Sequence, residues 1–213
     1  MRRKALLKPI EMSKSLATIY VLLLLLLLVP CEIFAIGITM RVSVSSTGVQ
    51  GNDDAESASI SSKGRYVAFH SGADNLVESD SFGGADIFVH DRQTGQTTLV
   101  SVSSTGVQGN NNSFEPSISS DGRYVAFESS ADNLVSGDSN KFSDVFVHDR
   151  QTGQTTRVSV SSTGVQGIYY SENPKISSDG RYVAFNSFSD NLVEGDSNGA
   201  NDVFVHDRQS GQT

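Results

Sequence analysis

Cysteine is nearly absent. The single one, Cys31, lies in the N-terminal leader, so the chain beyond it has no thiol to form a disulfide, hold a soft metal or attack a substrate, and stability has to come from packing. Basic side chains are scarce too. Of 16 Lys and Arg and 24 Asp and Glu, five and two precede residue 36, which leaves 11 against 22 and a formal charge of −11. A surface this acidic repels phosphate backbones and excludes nucleic acid as a partner, while divalent cations and basic proteins stay open. Beyond the leader no window of helical period competes with the strand patterns. No G-x-S-x-G elbow accompanies the many serines, so nucleophilic hydrolysis has no support. The main apolar run, Leu16 to Val29, is 14 residues long, against the roughly 20 that a spanning helix needs.

That run follows Arg2, Arg3, Lys4, Lys8 and Lys14 and is closed by Pro30 and Glu32. The pattern reads as a signal peptide over 1–35, cut after Ala35 with Ile33 at the −3 position. Lipidation at Cys31 is opposed by Pro30 before it, and retention as an anchor would leave Glu32 at the membrane surface. The expected product is extracytoplasmic, periplasmic or secreted, with no membrane span once the signal is removed.

The rest, 36–213, is read as one repeat domain. GRYVAF begins at Gly64, Gly122 and Gly180, FVHDRQ at Phe88, Phe146 and Phe204, and VSVSSTGVQG at Val42, Val100 and Val158, each stepping by 58 residues. The units are 41–98, 99–156 and 157–213, without insertion or deletion. In the second unit, strands are expected at Ser117–Ser119, Arg123–Ser129, Asp144–Asp149 and Thr155–Ser161, with turns at Ser120-Asp121-Gly122 and Gln151-Thr152-Gly153. Tyr124-Val125-Ala126-Phe127 and Val145-Phe146-Val147 are continuous apolar runs. Such strands are buried on both faces, as in a sheet held between two neighbours. The fold class is therefore all-β, with three four-stranded antiparallel units as β-propeller blades.

PSISSDGRYVAFESS followed by DVFVHDRQTGQTTRVSV resembles the TolB-like, WD-repeat-like β-propeller repeat over all three units. The loop Ala131 to Ser143 is longer than that family's usual turn. Three blades are too few for a ring, since propellers have about 4–8. Either chains assemble head to tail, a six-bladed homodimer being the simplest, or the 213 residues belong to a longer array. Val42–Ser46 is expected to act as a fourth strand completing the last blade.

Each long loop carries carboxylates and amides at matching offsets: Asp74, Asn75, Asp80 and Asp86; Asp132, Asn133, Asp138, Asn140 and Asp144; Asp190, Asn191, Asp196, Asn198 and Asp202. Asp80, Asp86, Asp138, Asn140, Asp144, Asp196, Asn198 and Asp202 are the candidate ligands for Ca²⁺, which takes hard oxygens. The alternative is Asx-turns and strand-end caps. His90, His148 and His206 each precede an Asp, but neighbours on a strand face opposite ways and cannot pair. Asp121-Gly122 and Asp179-Gly180 differ from the sialidase-type Asp-box in glycine spacing. Arg65, Arg123 and Arg181, with Arg92, Arg150 and Arg208, are candidates to pair with the loop aspartates. No catalytic residue is assigned, and no cofactor other than the candidate calcium. The expected function is a non-catalytic module that binds a protein or envelope partner. The alternatives are a calcium-binding adhesive surface protein and, by analogy with prolyl-oligopeptidase-type proteins, the accessory propeller of a larger hydrolase.

Overall fold

Apolar runs and glycine turns give strands from Ala55 onward. The computed structural model describes residues 39–213. The signal-peptide reading, with Cys31 and the cut after Ala35, lies outside them. Within 41–213, β1 (Ala55–Ile60), β2 (Tyr66–Ser71), β3 (Asp86–Asp91) and β4 (Gln96–Leu99) form one antiparallel sheet in chain order. β5 (Ser113–Ile118), β6 (Tyr124–Ser129), β7 (Asp144–Asp149) and β8 (Gln154–Arg157) form a second. β9 (Ser171–Ile176), β10 (Tyr182–Ser187) and β11 (Asp202–Asp207) form a third, three-stranded sheet. The meander order and the 58-residue step are those of propeller blades, and the three sheets do not close into a ring.

Burial on both faces is achieved unequally. One face of β6 and β7 presents Val125, Phe127 and Phe146, which pack with Ala68, Ile87 and Val89 of the preceding sheet. That same face is also covered by its own long loop, through Ala131 and Leu134. The length of the loop is thereby explained: it folds back as a lid, and in the first unit Ala73 and Leu76 bury Phe69 and Phe88 in the same way. The other face, Ala126, Val145 and Val147, packs against Val183, Phe185 and Phe204 of the third sheet. The hexapeptide DVFVHD occurs twice with different outcomes. At 144–149 all six residues are buried, whereas at 202–207 Val203 and Val205 are 73% and 52% exposed, because among the described residues no sheet follows.

Two strand expectations need correction. β5 starts at Ser113 rather than Ser117, and its register with β6 shifts between Phe114 and Ser117. There Glu115 takes φ 50°, so the strand carries a bulge across Pro116. The fourth strand ends at Arg157, and VSVSS is not its continuation. Ser161 Oγ accepts from the backbone N–H of Thr163 (3.3 Å) and Val165 (3.1 Å), and Gly164 at φ 80° closes a tight turn bridged by Val160 and Gln166. The hydroxyl offers the backbone a local partner that outcompetes the ladder. The equivalent Val44–Gln50 hairpin docks on the first sheet, where Ser46 Oγ accepts from Thr97 N (3.0 Å) and Thr97 Oγ1 donates to Val44 O (2.5 Å). Val42–Ser46 therefore serves the first unit, not the last. Thr213 is held the same way by Ser162 and Val160.

Candidate functional site

The loop carboxylates join successive units. Asp86, at the start of β3, is fully buried; its Oδ1 accepts from Ser101 Oγ at 2.5 Å and its Oδ2 from Gln108 Nε2 at 2.7 Å. The same amide gives its second hydrogen to Asp80 Oδ1 at 2.8 Å. Gln108 belongs to the next unit, so the amide ties the two together. Gln166 repeats this on Asp144 (2.7 Å) and Asp138 (2.8 Å), and Asn140 donates to Asp144 (3.3 Å) and to Gly167 O (2.8 Å). Desolvation pushes the Asp86 and Asp144 carboxyls up to about 6, against the pull of their serine and glutamine donors. In the third unit Asn198 Nδ2 donates to Asp202 at 2.9 Å. Among the described residues no group of three or more His, Cys, Asp or Glu side chains gathers as a metal centre.

Arg65, Arg123 and Arg181 pair with the strand-end Asp91, Asp149 and Asp207, two-pronged at 2.6–3.0 Å, and not with the loop aspartates. These pairs hold the three carboxyls well below the usual range. Arg150 Nη1 instead donates to Gly122 O (2.7 Å) and lies 4.6 Å over the Tyr66 ring of the preceding unit; Arg208 does the same with Gly180 O and Tyr124. Arg157 does reach loop aspartates, 3.4 Å from Asp138 and 3.6 Å from Asp144. His90 is buried against Thr97, with Nδ1 2.9 Å from Thr97 Oγ1. Since that hydroxyl donates to Val44 O, the imidazole donates its Nδ1–H to Thr97 Oγ1. Burial lowers its pKa, and His148 and His206 repeat the arrangement. His90 and Asp91 point to opposite faces, as strand geometry requires.

Two surface features among the described residues stand apart from these structural uses. The first is a cleft beside each hairpin. In the first unit Ser45, Thr47, Val49, Leu76 and Glu78 line about 510 Å³, and equivalent clefts of about 450 and 550 Å³ follow in the second and third.

The second feature breaks the repeat. Where the first two units have Asn52-Asp53-Asp54 and Asn110-Asn111-Asn112, the third has Ile168-Tyr169-Tyr170, and Phe188 replaces Gly72 and Ser130. These four are 42–49% exposed and adjacent: Phe188 N donates to Tyr170 O at 3.1 Å, and Tyr169 N to Ser189 Oγ at 2.9 Å. Phe142, from the preceding loop, meets Tyr170 edge-on at 4.5 Å and Tyr169 at 5.6 Å. Reading the units for their identity passes over this patch; comparing them for their differences finds it.

No protein-family model matches the sequence, and no curated protein matches it. Among solved structures the chain is similar to TolB from Acinetobacter baumannii, at 22% identity over 75% of this chain and 31% of that one, with a TM-score of 0.45. A putative TolB from Agrobacterium tumefaciens is 18% identical over 75% of this chain and 47% of that one, TM-score 0.49. A structure from a study of two prolyl endopeptidases is 17% identical over 75% and 21%, TM-score 0.46. The chain thus spans less than half the length of each of these propeller-containing neighbours.

Proposed function

We propose that the chain is an exported, non-catalytic propeller-repeat module that docks a protein partner of the envelope or extracellular space through the aromatic patch of its third unit. The observation that carries this reading is the convergence of Ile168, Tyr169, Tyr170 and Phe188: four departures from the repeat, all toward large apolar side chains, meet on one exposed surface beside Phe142. Exposed aromatics of this kind supply rigid contact area with a polar tip, as interface anchors do. The histidines, the Arg–Asp pairs and the carboxylates of the first two loops are engaged within or between the sheets, which supports a scaffold over a reaction centre. Export rests on the leader pattern.

Restoring the second unit's residues, with Ile168→Asn, Tyr169→Asn, Tyr170→Asn and Phe188→Ser together, removes the patch with side chains this fold already accepts. Affinity capture from envelope extract with quantitative mass spectrometry should show one protein enriched by the wild type and lost with the restored variant. Identical captures from both would refute the proposed surface.

A further inference from the structure

We infer that the open face of the third sheet receives the first sheet of a second copy of this chain, head to tail. The sheet-to-sheet contact is made twice inside the chain in the same terms. In each, a tyrosine ring fits over a glycine: Cβ atoms built on Gly122 and Gly180 would lie 2.0 and 2.1 Å from Tyr66 and Tyr124. An arginine of the later unit covers that ring, Ser62 and Ser120 donate their N–H to the next unit's serine carbonyl at 3.0 Å, and a glutamine amide reaches back to two aspartates.

The two ends of the array carry the two halves of this contact. The third sheet presents Val203 and Val205 exposed, at positions where Ile87, Val89, Val145 and Val147 are wholly buried, and Tyr182 exposed where Tyr66 and Tyr124 are half-buried. The first sheet presents Gly64 at φ 68°, with Arg92 Nη1 donating to Gly64 O at 2.6 Å as Arg150 does to Gly122 O. Ile60 there is 58% exposed, whereas its counterpart Ile118, under the preceding sheet, is 7% exposed. Gln50 stands where Gln108 and Gln166 stand, in register for Asp196 and Asp202. One bond is not repeated: Ile118 N and Ile176 N donate to Ser59 and Ser117, and Lys175 occupies that position at the open end. Two copies joined at both ends give six sheets, within the range of closed propellers. Closure would also cover the apolar face that the third sheet leaves exposed among the described residues.

The test is sedimentation equilibrium on the full-length protein, purified as the cell processes it. The wild type should have the mass of two chains. Val203→Asp and Ile60→Asp, both at exposed positions, should each give single chains with unchanged circular dichroism. An equimolar mixture of the two variants should recover two-chain species, because each keeps the half that the other has lost. Val203→Thr, suited to a strand and similar in shape, should raise the dissociation constant about tenfold. A single-chain wild type at every concentration would overturn the proposal and leave the face to a different occupant. So would a dimer that survives Val203→Asp, or variants that fail to complement, which would mean a contact that is not head to tail.

Discussion

Gly122→Ala probes the contact between sheets directly. Gly122 has φ 78°, and a Cβ there would lie 2.0 Å from Tyr66 Cδ2 and 2.7 Å from its Cγ. The left-handed backbone costs an alanine about 1–2 kcal/mol. Moving a packed ring adds about 1–3 kcal/mol. Disturbing the stack of Arg150 on Tyr66 adds about 0.5–1 kcal/mol. The expected loss is about 2.5–6 kcal/mol in urea unfolding followed by circular dichroism, read from the midpoint at constant slope. Gly153→Ala is the control: φ is 76° and nothing lies within 4 Å of the added carbon, so only the backbone term of about 1–2 kcal/mol applies. Gly180→Ala, over Tyr124 at 2.1 Å, should match Gly122→Ala. Tyr66→Ala in the Gly122→Ala background should recover part of the loss, giving a coupling energy of about 1–3 kcal/mol. Equal losses at Gly122 and Gly153 would refute the packing of Tyr66 on the neighbouring sheet.

Asp86 and Asp144 have folded pKa values of about 6, above the roughly 3.9 of an unfolded aspartate. The folded state therefore holds extra protons between these values, and their contribution to stability falls as pH rises from about 4 to 6. Asp86→Asn and Asp144→Asn lack that fall, so the stability difference between wild type and variant should shrink across the window; parallel pH curves would contradict this. Arg157 Nε and Nη1 are buried without a hydrogen-bond partner, and the first unit has Leu99 at this position. Arg157→Leu should be neutral or stabilising by up to about 2 kcal/mol, since the ion pairs only partly offset desolvation; a loss of similar size in thermal unfolding would show that they win. Thr97→Val removes the partner of both His90 Nδ1 and Val44 O. It should cost about 2–3 kcal/mol and speed hydrogen exchange over 42–51; unchanged exchange would mean that the hairpin is held elsewhere.

The repeat and its strands were legible because β7 and β6 are continuous apolar runs bounded by Gly turns, and Asp144–Asp149 matches expectation at both ends. β5 extends back to Ser113, beyond the expected Ser117–Ser119, because its bulge puts Glu115 at positive φ beside Pro116, a tertiary demand that local propensity does not announce. Val158–Ser161 alternates like a strand, yet the hydroxyl of Ser161 makes a turn of it. At the candidate site, the spacing of Asp80, Asp86, Asp138 and Asp144 was visible, but their partners, Gln108 and Gln166, come from the following unit and lie outside any local motif. The aromatic patch was present in the sequence as departure from the repeat.

These sheets are buried by their siblings, and the two copies of DVFVHD test that burial with local sequence held constant. In the Ile60→Asp background, where association through the ends is removed, the unfolding free energies of Val145→Asp and Val203→Asp are to be compared. Val145 is wholly buried between sheets and Val203 is open. Val145→Asp should lose at least about 4 kcal/mol or fail to fold. Val203→Asp should lose less than about 1 kcal/mol; equal losses at the two positions would contradict burial by the neighbouring sheet.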